Sequence, residues 1–126
     1  MGPLLVLLCQ LSLTILIEGA VIVMVYKSKE VLKCSFYVNL LTNPPLNLTL
    51  MLLSGIGLSL GAVLIIRVAL EIVVVFIEAF VYKYTLDYSF KKTFGMSFFL
   101  NLTSFVLGDI IGSAGYWRLQ EWVISL

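Results

Sequence analysis

The chain has 126 residues, of which 61% are hydrophobic and 12% are charged, and its net charge is +1. Soluble domains are typically about 45–50% apolar and about 25% charged, so this composition indicates an integral membrane protein of one domain. The small net charge excludes a nucleic-acid-binding face. Because the chain has no histidine, imidazole metal ligands and histidine general bases are excluded as well.

The first long apolar segment, Leu4–Tyr26, predicts a membrane helix. It lacks the basic start of a signal peptide and is longer than a signal's apolar region, so we expect it to be retained. Gln10, Thr14 and Glu18 are spaced four residues apart, which lines them along one helix face. A glutamate at membrane depth is costly without a partner, so we expect Glu18 to meet polar groups on another helix.

The second helix is predicted over Val31–Leu53, after a short charged loop. An Asn-Pro-Pro sequence at 43–45 lies inside it. Since proline lacks an amide donor and clashes with the preceding turn, we expect a break or kink near 41–43. Broken membrane helices line binding sites in transporters, but a plain kink is an equally good interpretation.

Residues 54–65 are predicted to be a linker between two halves of the chain. The spacing of Gly57 and Gly61 fits either close helix packing or a flexible connection. Helix three is expected to begin between 60 and 67 and to end near Tyr84. Arg67 and Glu71 lie one turn apart, which predicts an ion pair.

The fourth helix is predicted over Thr93–Gly112, and a tail rich in aromatic and charged residues, Tyr116–Trp122, follows it. Such a tail is typical of an interfacial anchor. The two cysteines, Cys9 and Cys34, both lie in apolar segments. We expect them to be small hydrophobic residues rather than a disulfide.

The two halves of the chain repeat the same polar pattern. Glu18 recurs as Glu78 at an offset of 60, and Asn39 recurs as Asn101 at an offset of 62. This repetition predicts an all-α membrane protein in which two tandem helical hairpins supply four transmembrane helices packed as a four-helix bundle. The predicted boundaries are a first hairpin repeat over 1–53, the linker 54–65, and a second hairpin repeat with the interfacial tail over 66–126.

Basic residues indicate the orientation of the hairpins. Six of the eight cations in the chain flank the two hairpin loops. The positive-inside rule therefore predicts a multi-pass protein of the cell membrane with both loops in the cytoplasm and both termini outside. Each half then has the same orientation, so the repeats are parallel rather than inverted.

The position of each acid relative to its loop predicts a polar centre. Glu18 lies about ten residues before the middle of its loop and Asn39 about ten residues after it, so both are roughly 15 Å from the loop apex. Glu78 and Asn101 lie at similar distances from the second hairpin loop. We therefore expect two Glu–Asn pairs to meet at one depth. The predicted supporting positions are Gln10, Thr14, Ser35, Thr42, Asn43, Asn47, Arg67, Glu71, Ser97, Ser104 and Asp109.

An oxygen-rich cluster of this kind suits a proton, a hard cation or a small polar solute. We therefore expect a transporter or channel subunit in the lipid bilayer, assembled as a homo-oligomer or in a larger membrane complex, without cofactor or nucleic acid. The alternative is a structural or assembly subunit in which the Glu–Asn pairs hold helices together. An enzyme is less favoured because no nucleophile motif is present. Whether the site binds a metal ion is left open. The pattern resembles many small bacterial inner-membrane proteins, which specifies no activity.

Overall fold

The computed structural model describes the backbone of residues 2–125 and the side chains of residues 2–111 except those of 3, 54 and 60. Within this range the protein is all-helical and has no strand, which confirms the all-α prediction. The four helices are α1 (Pro3–Val21), α2 (Lys29–Ser54), α3 (Leu60–Leu86) and α4 (Phe90–Ser125).

The first hairpin loop is tight because α1 ends in a π-helical turn, Ile22–Tyr26. Lys27 follows in the left-handed conformation, with φ 50°, and donates its N–H to the carbonyl of Ile22 at 2.7 Å. Ser28 then caps α2, since its Oγ accepts the N–H of Val31 at 3.3 Å. This arrangement satisfies backbone groups at both helix ends without a longer loop.

The connection between the two hairpins is Gly55–Ser59, shorter than the predicted linker, because α3 already begins at Leu60. Gly57 has φ 79°, a conformation that favours glycine. Gly57 is therefore a turn residue. Gly57 and Gly61 do not lie on one continuous helix, so they do not form a shared contact face. In the second hairpin loop, Asp87 takes the left-handed conformation, with φ 56°.

Of the break and the kink expected near the two prolines of α2, the break is wrong. The helix continues without interruption from Lys29 to Ser54 through Pro44 and Pro45. Polar side chains around the prolines hydrogen-bond to the helix backbone: Asn47 donates to the carbonyl of Asn43 at 3.1 Å, and Thr49 donates to that of Pro45 at 2.7 Å. The carbonyls that the two prolines leave without an amide donor are those of Leu40 and Leu41, four residues earlier, so these side-chain bonds do not replace the lost ones.

The four helices pack in a ring, each against its two neighbours in chain order, and α4 closes the ring against α1. The diagonal pairs make no backbone contact in the described part of the chain. The main apolar core lies at the hairpin-loop end of this ring and contains Val21, Ile22, Val31, Cys34, Val38, Tyr82, Met96 and Leu100. Both cysteines are free thiols.

Two helical segments, Leu4–Tyr26 and Phe90–Ile111, are long and apolar enough to cross a membrane. Helix α4 continues past the predicted end at Gly112 to Ser125, so the backbone of the tail belongs to this helix. The side chains on which the interfacial-anchor prediction depends lie outside the described residues.

Candidate functional site

Two glutamates lie at the centre of the helix ring, and both Glu18 and Glu78 are 0% exposed. Charged side chains are almost never fully buried unless they are paired. The polar residues buried with them are Ser35, Asn39, Thr42, Thr93, Ser97, Asn101 and Ser104. Except for Thr93, these residues are among the predicted site positions.

Glu18 on α1 accepts hydrogen bonds from two neighbouring helices. From α2, the Asn39 Nδ2 donates to Glu18 Oε2 at 2.7 Å and the Ser35 Oγ donates to the same oxygen at 3.0 Å. From α4, the Ser104 Oγ donates to Glu18 Oε1 at 3.3 Å. Both carboxyl oxygens of Glu18 therefore have partners.

Glu78 on α3 repeats this pattern. The Asn101 Nδ2 of α4 donates to Glu78 Oε2 at 2.6 Å, and the Thr42 Oγ1 of α2 donates to Glu78 Oε1 at 2.9 Å. The predicted contacts of Glu18 with Asn39 and of Glu78 with Asn101 are thus both present. In each case one oxygen is bonded within its own hairpin and the other by a hydroxyl of the opposite hairpin.

These hydrogen bonds form a closed ring around the bundle. The hydrogen bond of Asn39 joins α2 to α1, and that of Thr42 joins α2 to α3. The hydrogen bond of Asn101 joins α4 to α3, and that of Ser104 joins α4 to α1. Every interface between neighbouring helices is therefore bridged by a hydrogen bond to one of the two carboxyl groups. We call this set of two acids, two amides and two hydroxyls the carboxyl ring.

Each asparagine is held in place by its own helix. The Asn39 Nδ2 also donates to the carbonyl of Ser35 at 2.9 Å, and the Asn101 Nδ2 donates to the carbonyl of Ser97 at 2.9 Å. Ser and Asn separated by one helical turn lie on the same face, which is why the sequence repeats this spacing. Each amide is therefore held toward its acid by a bond to its own helix.

The two hydroxyls of the ring can serve either protonation state of the acids. Thr42 Oγ1 lies 2.9 Å from the carbonyl of Val38, and Ser104 Oγ lies 3.1 Å from that of Asn101. A hydroxyl has one proton, so it donates either to a carboxylate or to its helix carbonyl, and in the second case it accepts a proton from a neutral carboxyl. The oxygen positions in the structure fit either arrangement of these hydroxyl protons.

The side chains that donate hydrogen bonds to the two acids are neutral amides and hydroxyls. Within the described residues, no lysine or arginine forms an ion pair with Glu18 or Glu78. The described part of the chain also has no group of three His, Cys, Asp or Glu side chains that could hold a metal ion. What the site offers is carboxyl, amide and hydroxyl oxygens at one level of the bundle.

Other predicted positions lie outside the carboxyl ring. Asn43 donates its Nδ2 to Thr14 Oγ1 at 3.1 Å, and Asn47 donates to Asn43 Oδ1 at 2.9 Å, which forms a separate network between α1 and α2. Gln10 is exposed and makes no hydrogen bond to the described residues. Steps of four residues drift by about 40° each around a helix, so Gln10 has rotated away from the face that buries Glu18.

The predicted ion pair of Arg67 with Glu71 is wrong. Arg67 binds Asp109 of α4 instead, with Nη2 2.7 Å from Oδ1 and Nη1 3.3 Å from Oδ2. Its guanidinium also lies 4.3 Å from the centre of the Phe105 ring. The planar guanidinium is better suited to a bidentate pair with a carboxylate and to stacking on an aromatic ring than to a single contact along its own helix. Glu71 is half-buried beside this pair.

Tyr82 also lies in this region, although it is not among the predicted site positions. It is 0% exposed, and its hydroxyl is the one buried side-chain polar atom of the described residues that lacks a hydrogen-bond partner. Its position four residues after Glu78 puts it on the same face of α3, and that spacing is the signal that could have revealed it.

The fold and site define a class: an all-helical protein of four helices, two of which are apolar enough to cross a membrane, around two buried carboxyl groups. No protein-family model, curated protein or solved structure matches the chain.

Proposed function

We propose that this protein is a multi-pass membrane protein whose carboxyl ring carries a proton, a small cation or a small polar solute across the bilayer. In this proposal all four helices span the membrane as two tandem parallel hairpins, with both hairpin loops in the cytoplasm. The observation that carries it is the burial of two equivalent acids among neutral hydrogen-bond donors.

The distribution of side chains on α2 and α3 supports spanning by these helices. Their outward faces carry large apolar residues such as Leu41, Ile65 and Ile72, which are 71%, 72% and 53% exposed. In the middle of the same helices, the polar and acidic residues Asn39, Thr42 and Glu78 are buried. Exposed apolar surface around a polar interior is unfavourable in water and is the arrangement expected in lipid.

The chemistry of the buried acids supports transport. An uncompensated carboxylate in an apolar interior is strongly unfavourable. Since neutral amides and hydroxyls donate the hydrogen bonds to both acids, each acid needs a proton or a cation whenever the site is closed to water. A centre that must take up and give up a positive charge is suited to moving that charge. Four helices leave little room for a pathway, so we propose that a homo-oligomer or a larger complex completes it.

A structural role is the second candidate, and the closure of the hydrogen-bond ring favours it. Glu18 joins α1 to α2 and α4, while Glu78 joins α3 to the same two helices. Such bonds contribute about 0.6–2 kcal/mol each in membranes. In this second candidate function the acids hold an assembly subunit together and do not transport an ion or a solute.

Reconstitution with both acids changed to glutamine separates the two candidates. Glutamine keeps a carbonyl oxygen that accepts from Asn39 or Asn101, and its NH₂ group can donate to a ring hydroxyl, but it binds no proton at neutral pH. We expect proteoliposomes with Glu18→Gln/Glu78→Gln to lose the flux of protons, Na⁺ or K⁺ that the wild type shows, while the folded protein is retained.

Glu30→Gln is the matched control, because Glu30 is an exposed acid in the first turn of α2. It should leave flux unchanged. If the double variant transports as well as the control, the acids are structural and the transport proposal fails.

A further inference from the structure

The outer surface of the first hairpin carries a groove between α1 and α2 that the carboxyl ring does not explain. Its volume is about 460 Å³, and it is lined by Ile15, Gly19, Leu32, Lys33, Ser35, Phe36 and Tyr37. Most of this lining is apolar. The Ser35 hydroxyl is buried and donates to Glu18, so Lys33 and Tyr37 supply the polar atoms that the groove presents outward.

The internal repeat offers a comparison for the floor of the groove. In the second hairpin, Val75 and Ala79 stand at the positions of Ile15 and Gly19, and both are buried. Ile15 and Gly19 are partly exposed. A Cβ atom added at Gly19 would lie 3.5 Å from the Leu32 Cδ1, an ordinary contact. The packing of α1 on α2 therefore does not require glycine here, and the first hairpin is open where the second is covered.

Aromatic side chains fill the same surface of the second hairpin. The ring of Phe94 lies 5.2 Å from that of Phe76 and 5.9 Å from that of Phe90, measured between ring centres. The equivalent residues of the first hairpin are all smaller, namely Leu32, Leu16 and Ser28. The groove therefore follows from a difference in side-chain size between two otherwise similar hairpins.

The polar groups of the groove are also specific to the first hairpin. Lys33 stands where the second hairpin has Gly95, and Tyr37 stands where it has Phe99. Lys33 is exposed and forms no ion pair with a described residue. Lys33 and Tyr37 lie one turn apart, which puts them on one face of α2.

The groove runs from a charged end to an apolar end. Counted from the loop, Ile15 lies about eight residues deeper than Lys33, or about 12 Å along the helices. A lysine near a helix end can extend its ammonium group to the membrane surface, and basic pockets between membrane helices bind anionic lipid headgroups. Free phosphate would leave the apolar lining uncovered, and an uncharged lipid would leave the lysine unpaired. An anionic phospholipid matches both ends.

We propose that this groove binds one anionic phospholipid, whose phosphate group contacts the Lys33 ammonium and the Tyr37 hydroxyl. One acyl chain lies along Leu32, Gly19 and Ile15. The site requires that the protein is inserted in a membrane, and the proposed orientation of the hairpins places it in the cytoplasmic leaflet. It does not require that the carboxyl ring transports anything.

Native mass spectrometry of the detergent-solubilised protein tests the headgroup contact. The probes are phosphatidylglycerol and phosphatidylcholine with the same acyl chains. We expect the wild type to retain one phosphatidylglycerol per chain at a concentration about fivefold below that needed for phosphatidylcholine, the effect of one lysine beside an anionic lipid surface. Lys33→Gln should abolish this preference.

Lys91→Gln is the matched control, because it removes an exposed lysine near the loop of the second hairpin, and its preference should equal that of the wild type. Equal binding of the two lipids by the wild type overturns the proposal. An equal loss of preference in Lys33→Gln and Lys91→Gln also overturns it, since the attraction would then be general.

The double variant Gly19→Ala/Leu32→Phe tests the acyl-chain contact by giving the first hairpin the side-chain sizes of the second. It should weaken binding of both lipids about tenfold, the loss expected when about two methylene groups are no longer buried. Circular dichroism shows whether this variant is folded. Wild-type binding by the folded variant overturns the proposal, and the Lys33→Gln comparison decides it if the variant does not fold. Neither measurement involves flux, so a failure of the transport proposal would leave the lipid site standing.

Discussion

Thr42 on α2 donates its hydroxyl to Glu78 on α3 at 2.9 Å, and so links the first hairpin to the acid of the second. Its equivalent, Ser104, links the second hairpin to Glu18 in the same way, at 3.3 Å. The two halves of the bundle therefore complete each other's site. Neither acid has its full set of hydrogen bonds within its own hairpin.

The Thr42 contact should be measurable in the free energy of unfolding. Thr42→Val keeps the shape of the side chain but leaves Glu78 Oε1 without a donor, so we expect a loss of about 1–3 kcal/mol. Thr42→Ser, which retains the hydroxyl, should lose much less. Equilibrium unfolding in mixed micelles measures both. Equal losses for the two variants would show that the methyl group, not the hydrogen bond, stabilises the bundle.

Both asparagines should be important, since each gives its acid the shortest of its hydrogen bonds. Asn39→Leu and Asn101→Leu each leave a buried carboxyl oxygen without its shortest hydrogen bond, and each should lower the free energy of unfolding by about 1–3 kcal/mol. Asn47→Leu is the control, because Asn47 is half-buried and bonds to Asn43 rather than to an acid. If the control loses as much as the other two, contact with the acids is not what matters.

The sequence predicted the contacts within each hairpin because a short loop fixes the relative depth of the two helices it joins. Counting residues from the loop was enough to pair Glu18 with Asn39 and Glu78 with Asn101. Contacts between the hairpins depend instead on how each helix is rotated and which helices are neighbours, and no loop fixes these. Thr42 and Ser104 were therefore expected only as supporting residues.

The error at Arg67 has a different cause, because Arg67 and Asp109 lie on the two helices of one hairpin, about equally far from its loop, and depth counted from that loop pairs them. Spacing along one helix identified Glu71, but the position of α4 against α3 brings Asp109 within reach of both guanidinium nitrogens. The continuity of α2 through Pro44 and Pro45 was missed because local propensity counts the lost amide donors and not the packing of α2 against α1 and α3. Tyr82 was missed, although it lies four residues after Glu78, because an aromatic residue in an apolar run is typical of a packed core.

The Arg67–Asp109 pair should contribute little to stability and nothing to flux. Its side chains are 31% and 47% exposed, and exposed ion pairs contribute about 0–1 kcal/mol. Asp109→Asn should therefore change the free energy of unfolding by less than about 1 kcal/mol, with a difference that shrinks as salt is added. A larger loss, independent of salt, would contradict a surface role for the pair.

Cysteine labelling tests the proposed orientation of the hairpins. In a background without the native thiols, Lys29→Cys and Lys91→Cys, one near each hairpin loop, should react with a membrane-impermeant reagent only from the cytoplasmic side. Ile56→Cys, in the connection between the hairpins, should react only from outside. All three positions are exposed. Labelling of the two loop positions from opposite sides would rule out parallel repeats.

Flux through proteoliposomes that contain the single variants Glu18→Gln and Glu78→Gln tests the central claim most directly. Because each acid shares its hydrogen bonds with both hairpins, we expect the two acids to act as one unit, so either substitution alone should reduce ion flux to the level of empty liposomes while the protein remains folded. Wild-type flux in both folded single variants would contradict a transport role for the carboxyl ring.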